Sequence, residues 1–386
     1  SIASVASIGS VGSIASVGST GCVARIGHDC TTPRLPSKEI VHVWRIYYSN
    51  EQWQNASMCT KEEYHGDVRP ERCDYMPLKC SIDHNTASQE TCEVRRKGSS
   101  TWRDLDDKAS FKVKLDKKHD MGVYNCTHEL CPPGETINSW NTKKFTLNNQ
   151  VKWNGELDAY AVYRRYMPAP LAVQVRVELY KDNVLQRNDS YAMVETVDDK
   201  RFMQKWFGST YALFEIENGV AEWERGDGDV EIGPGGASTS LDQDINPFLF
   251  TPSVQTLSLS DYANANVVRY GAVAKAINDW DGACASNNNH FLAYDGTAWH
   301  VVPWGLDQTF QCHFRWWSHN KCRAVNECTA TDECQSEYKR IHDDVVARIR
   351  SDNLSPSCPN VAAIVLGNLL GPTAVVVVSV FVFARY

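Results

Sequence analysis

The segment NDWDGACASNNNHFLAYD (278–295) sets Asp281 ahead of a run of asparagines that ends at Asn289, and a strand-like stretch follows. Transfer of a phosphoryl group asks for a carboxylate that orients the attacking hydroxyl. It also asks for an amide or carboxylate oxygen a few residues later to hold a divalent cation. Asp281 and Asn289 are of the right types for those two tasks, although Asn, Asp and Gly equally make an ordinary polar turn. A second acidic position, Asp307 in VVPWGLDQTF (301–310), follows an apolar stretch. A carboxylate just past a rigid strand end can point into a cleft as a metal ligand; alone, it reads as a loop aspartate. One predicted hairpin joins the two loops, and the pair carries more weight than either member.

The complementary, anion-binding chemistry has its candidates in RRKGSSTWRDLDDKASFKVKLD (95–116). Gly98, Ser99, Ser100 and Thr101 could form a turn whose N–H groups and hydroxyls donate to phosphate. The pattern GxxxxGK[ST] is absent, so this is no Walker loop. Lys112 and Lys114 are two residues apart and share one face of the predicted strand. A lysine turned inward there could bind nucleotide phosphates, whereas two exposed lysines at a sheet edge are the plain alternative. Glu195, ahead of Asp198 and Asp199, could fix that lysine or line the nucleotide pocket; a surface carboxylate is its rival reading.

The elements that must position these residues follow from periodicity. EIVHVWRIYYS (39–49) alternates like a half-buried strand, and 91–102 with 109–116 reads as two strands around a turn. LDAYAVYRRY (157–166) has helical spacing, 171–180 and 190–197 read as strands, and 261–279 and 338–352 read as helices. HFLAYDGTAWHVVPW (290–304) reads as a hairpin turning at Asp295-Gly296. Strands dominate the first part and helices the second, which predicts an α+β protein with two lobes.

Whole-chain properties narrow the setting. The 386 residues suit one bilobal domain with short appendages. The net charge of -8 argues against nucleic acid as the partner, since backbone binding needs a basic stripe. Fourteen cysteines, mostly scattered, suit disulfides of the secretory pathway. Zinc is the rival, with Cys312/His313 and Cys126/His128 as the nearest approach to ligand pairs. Sequons at Asn55, Asn125, Asn188 and Asn353 agree with export. Residues 1–21 form a Ser/Ile/Val/Gly low-complexity repeat, 22–38 a linker and 39–352 the main domain. The chain starts at Ser1 without Met, as a fragment or processed form would. Residues 361–384 carry no charge and Arg385 follows, which predicts a transmembrane helix at the cell surface; a cleaved lipid-anchor signal and a buried strand pair are the alternatives.

In this order the segments resemble the CotH kinase family, over roughly residues 40–345. VHVWRIYYSNEQWQNA is similar to its opening strand, RRKGSSTW to its R-G-N-S-[ST]-W turn, and SFKVKLD to the strand after it. KKFTLNN, MPAP, YAMVETVDDKRFMQKWFG, INDWDG…NNNHFLAY, VVPWGLDQTF and the cysteine-bearing 312–338 continue the likeness. The resemblance implies an atypical protein-kinase-like bilobal fold, disulfide-stabilised, with a strand-rich N-lobe and a more helical C-lobe. It implies transfer from ATP with Mg²⁺ (or Mn²⁺) to Ser or Thr of secreted or coat proteins. Asp281 would be the catalytic aspartate, Asn289 and Asp307 the metal ligands, and Lys114 the phosphate-binding lysine with Lys112 in reserve. Gly98, Ser100 and Glu195 would belong to the nucleotide site.

The chain departs from the family pattern at three places. Lys97 and Ser99 stand where Arg and Asn are usual. Gly305 stands where many relatives carry the first Asp of W-D-x-D, others reading W-G-x-D. Were that first Asp essential, the chain would be a weak or inactive surface or coat protein. The arginine common at the start of the helix after LNN has no counterpart, and Glu156 and Asp158 both remain candidates for an ion-pairing acid. A sugar-binding module using Trp299, Trp316 and Trp317 is a third reading, against which core packing explains tryptophans better.

Overall fold

Residues 42–65, 69–82, 90–98, 102–125, 132–133, 135, 137–149, 155–208, 212–217, 220–223, 266–286, 288–295, 299–310, 325–326, 329–352 and 354 are described by the computed structural model of the chain. The repeat, the linker, the 361–384 segment, Ser100, Trp316, Trp317 and both candidate zinc pairs lie outside them. Among the described residues no helix is long and apolar enough to cross a membrane.

Seven strands close into a barrel: β1 (His42–Tyr48), β2 (Met76–Ile82), β3 (Glu90–Lys97), β4 (Ser110–Asn125), β5 (Ile137–Asn148), β6 (Ala172–Lys181) and β7 (Val184–Glu195). Their order around the barrel is β1-β2-β3-β4-β5-β7-β6, and β6 closes the ring by pairing parallel to β1. Closure follows from alternation. Trp44, Ile46 and Tyr48 of β1, Phe111, Val113 and Leu115 of β4, and Phe145 and Leu147 of β5 are all buried in one core. Residues between them turn to the outer wall. The hairpin from β6 to β7 turns on Asp182 and Asn183, both at positive φ, as a two-residue type I′ turn requires.

Short helices decorate the barrel. α1 (Asn50–Met58) and α2 (Lys61–Tyr64) both start on capping boxes, Ser49 with Gln52 and Thr60 with Glu63. Disulfides Cys59–Cys73 and Cys80–Cys92 tie this region, and Cys284 and Cys334 are also disulfide-bonded. These bonds are consistent with a secreted or extracellular protein.

A second core gathers α3 (Glu156–Tyr163), α4 (Lys200–Phe207) and the long helices. It includes β8 (Ala212–Glu217), α5 (Val267–Ile277), β10 (His290–Tyr294), β11 (Trp299–Pro303) and α6 (Asp332–Ser351); β9 (Val220–Trp223) pairs with β8, and the strands are ordered β11-β10-β8-β9. The predicted hairpin is present as β10 and β11, antiparallel from His290↔Pro303 to Tyr294↔Trp299. The protein is α+β and disulfide-bonded, as expected. Its first half differs from an open sheet, because β6 returns beside β1 and leaves no free edge.

Candidate functional site

The loop after α5 carries Asp281. The helix stops at Asn278, whose left-handed conformation ends the regular turn. Asp281 is almost buried, and its carboxylate accepts four neutral donors. Oδ2 takes Asn289 Nδ2 at 2.6 Å and Gln308 Nε2 at 3.0 Å. Oδ1 takes Ser286 Oγ and Asn288 Nδ2, each at 3.2 Å. Burial pushes the Asp281 carboxyl above its ordinary range, against these hydrogen bonds, which pull it down.

Asn289 is held where β10 begins. Its carbonyl accepts Trp304 N–H at 3.3 Å, across the hairpin. Its neighbour His290 is fully buried with Nδ1 3.1 Å from Asn288 O, and burial pushes the imidazole down to about 4. Gly305 follows β11 at φ +60°, and a β-carbon there would meet Asn289 Cγ at 2.9 Å and Oδ1 at 3.1 Å. A glycine is required both by the conformation and by the approach of that amide.

Asp307 and Gln308 occupy the single 3₁₀ turn Leu306–Gln308. Phe310 N–H donates to Ile277 O at 2.6 Å, and Thr309 Oγ1 to Leu306 O at 2.9 Å, so the turn is pinned to the end of α5. The Phe310 ring also packs against Gly155, where a β-carbon would meet it at 2.7 Å. That contact sets the start of α3, hence Glu156, beside the Asp307 turn.

Glu156 is fully buried. Its Oε1 accepts Asn148 Nδ2 from the end of β5, and Oε2 has no hydrogen-bond partner among the described residues. Burial first, then the Asp307 charge, pushes its carboxyl to about 8, outweighing Asn148 and Lys97. Lys97, at the end of β3, donates to Asn148 Oδ1 at 3.0 Å and lies 5.6 Å from the Trp304 ring centroid. Burial and then the nearby Lys112 charge lower its pKa, while Glu156, Asp307 and Glu215 raise it. A chain of polar contacts thus runs from Lys97 through Asn148 to Glu156, with Asp307 acting on both ends.

Asp279 braces the Asp281 loop from below. It is buried and accepts Tyr163 OH at 2.7 Å and Tyr270 OH at 3.2 Å. Tyr270 OH in turn accepts Ala283 N–H at 2.8 Å. Burial lifts the Asp279 carboxyl to about 7 despite these donors.

The three residues singled out first, Asp281, Asn289 and Asp307, fall into one neighbourhood. Lys114 does not share it. Its Nζ lies 3.8 Å from the Tyr75 ring centroid, and it pairs in register with Glu93 and Lys144. The register explains this. Lys97 faces Ser110, so Lys112 is one outward step along β4 and Lys114 the next; each step of two residues covers about 7 Å. Lys112, the reserve, is the one whose charge reaches Lys97. Gly98 follows β3, and its carbonyl lies 3.0 Å from His65 Nε2. Glu195 is engaged elsewhere: it accepts Lys205 Nζ at 2.9 Å and Leu171 N–H at 3.1 Å. Trp299 begins β11.

Lys97, Asn148, Asp279 and Gln308 were not among the candidates. The only sequence signal for them was adjacency, Lys97 to the Gly-Ser turn and Gln308 to Asp307. Of the two acids left open on α3, Glu156 is the one that meets Asn148.

Among the described residues no group of three His, Cys, Asp or Glu side chains is arranged to hold a metal. A site of one carboxylate and one amide oxygen completed by phosphate oxygens suits Mg²⁺, a hard cation that seldom takes an all-protein cage. No family model and no curated protein matches this chain.

Proposed function

We propose that this chain is a protein kinase of the CotH type, moving the γ-phosphoryl group of ATP to Ser or Thr hydroxyls of secreted or coat proteins. The observation that carries the reading is the double link on Asp281 Oδ2, to Asn289 at 2.6 Å and to Gln308, next to Asp307, at 3.0 Å. It joins an acceptor-orienting carboxylate to one proposed cation ligand, Asn289, and to Gln308, the chain neighbour of the other, Asp307. On this reading the barrel corresponds to the N-lobe, and the helices with the four-stranded sheet to the C-lobe.

The donor set fits the cofactor. Asn289 spends its amide nitrogen on Asp281, which leaves its oxygen as a hard donor, and Asp307 adds a carboxylate. Bound at these oxygens, Mg²⁺ with ATP would supply the phosphoryl group and neutralise its charge. Asp281 would orient the acceptor hydroxyl and take its proton. Lys97, with Lys112 beside it, would steady the phosphates in the part assigned from sequence to Lys114. Glu156 would hold Lys97 through Asn148. The chain would work in the secretory pathway or at the cell surface, anchored through 361–384.

The test is incorporation of labelled phosphate from ATP into casein or secreted acceptors. The wild type is expected to label them in a Mg²⁺-dependent manner, and Asp307→Ala to fall by about a hundredfold or more. Equal labelling by the two proteins rejects the assignment. A fold kept for surface display without turnover predicts nucleotide binding, if any, with no transfer.

A further inference from the structure

The two oxygens of the Asp281 carboxylate each accept two donors, of different kinds. Oδ2 serves Asn289 and Gln308, the side of the proposed cation ligands. Oδ1 accepts Asn288 Nδ2 and the one hydroxyl at the carboxylate among the described residues, Ser286 Oγ, each at 3.2 Å. Ser286 is exposed, and its N–H donates to Gly282 O at 3.2 Å, which fixes its backbone over the carboxylate. Among the described residues no other hydroxyl donates to Asp281. The nearby Thr309 hydroxyl is buried and bonded to Leu306 O. A hydroxyl donating to the orienting carboxylate is the posture that a phosphoryl acceptor takes before attack.

We propose that Ser286 is a phosphoacceptor of this chain's own site, modified in cis; this rests on the kinase reading above. Ser286 Oγ attacks the γ-phosphorus, and the new O–P bond forms as the bond to the β,γ-bridging oxygen breaks. The hydroxyl proton passes to Asp281 Oδ1, and ADP leaves with the electron pair of the broken bond. ATP is the only co-reactant. The resulting phosphoserine places about -1.5 to -2 charges beside the acidic loop. It also fills the place of an incoming hydroxyl, so the modification is self-limiting.

The full chain is incubated with ATP and Mg²⁺ together with casein, and the peptide containing Ser286 is followed by mass spectrometry over time and across protein dilutions. Phosphate is expected at Ser286, at a rate independent of protein concentration, and the signal disappears in Ser286→Ala and returns on threonine in Ser286→Thr. Casein labelled while Ser286 stays unmodified overturns the proposal and leaves the kinase reading standing. A rate that falls on dilution overturns transfer in cis. Neither casein nor Ser286 labelled sinks the kinase reading and this proposal together.

Discussion

A β-carbon on Gly305 would stand 2.9 Å from Asn289 Cγ, so the backbone of one acidic loop lies directly against the amide of the other. The first prediction follows from this contact. Gly305→Ala adds both a side chain at φ +60° and a clash with Asn289. It should cost about 1–2 kcal/mol of stability from the left-handed backbone alone, read by chemical denaturation, and lower phosphate transfer through Asn289. Gly305→Asp should behave in the same way. A gain of activity in Gly305→Asp would instead make the first position of W-D-x-D the missing ligand.

Two lysines separate a rung-by-rung account of β4 from a face-by-face one. Lys97→Met should reduce phosphate transfer by about a hundredfold, because a fixed cation in a half-buried site is lost. Lys114→Met removes a cation that lies over Tyr75 and should change transfer by less than about threefold. Steady-state kinetics on a protein acceptor decides between them, and the reverse order of effects contradicts the placement of Lys97.

Glu156 gives a pH dependence with a definite sign. Its folded pKa, about 8, is above the ordinary 4.5, so the folded chain holds this proton more tightly than the unfolded chain. The stability it contributes is full below about 4.5 and is lost as pH rises towards about 8. Glu156→Gln cannot ionise and should gain stability relative to the wild type across that window. Parallel melting curves measure the difference; a gap that stays constant from acid to neutral pH shows that burial and Asp307 do not control this carboxyl.

Removing the Cys80–Cys92 bond with paired alanines opens a link between residues 12 apart in sequence. The cost should be about 3 kcal/mol on the chain-entropy account, with the barrel still folded. Denaturant titration with circular dichroism reads both quantities.

Some of this architecture is legible from local pattern. Trp44, Ile46 and Tyr48 announce their strand by alternation, and the hairpin of β10 and β11 is carried by its apolar arms. The 338–352 helix was legible in its apolar spacing, but its first turn at Asp332 precedes that pattern and is acidic, as helix starts prefer. Barrel closure was not legible, because the parallel pairing of His42 with Val175 joins segments far apart in sequence. In the site, residue type pointed to Asp281, Asn289 and Asp307. Period two tells which face Lys112 and Lys114 share and says nothing about which rung meets the acids. That depends on the β3 register, which sets Lys97 opposite Ser110. Glu156 was one of two equal candidates until the packing of Phe310 on Gly155 fixed the start of α3.

Calorimetric titration of ATP into the protein, with and without Mg²⁺, tests the joint clasp most directly. Wild type should bind the nucleotide tightly only when the cation is present, and Asp307→Asn and Asn289→Ala should each lose that cation dependence while remaining folded, as a cooperative melting transition shows. Cation-dependent binding of equal strength in all three proteins would contradict the clasp.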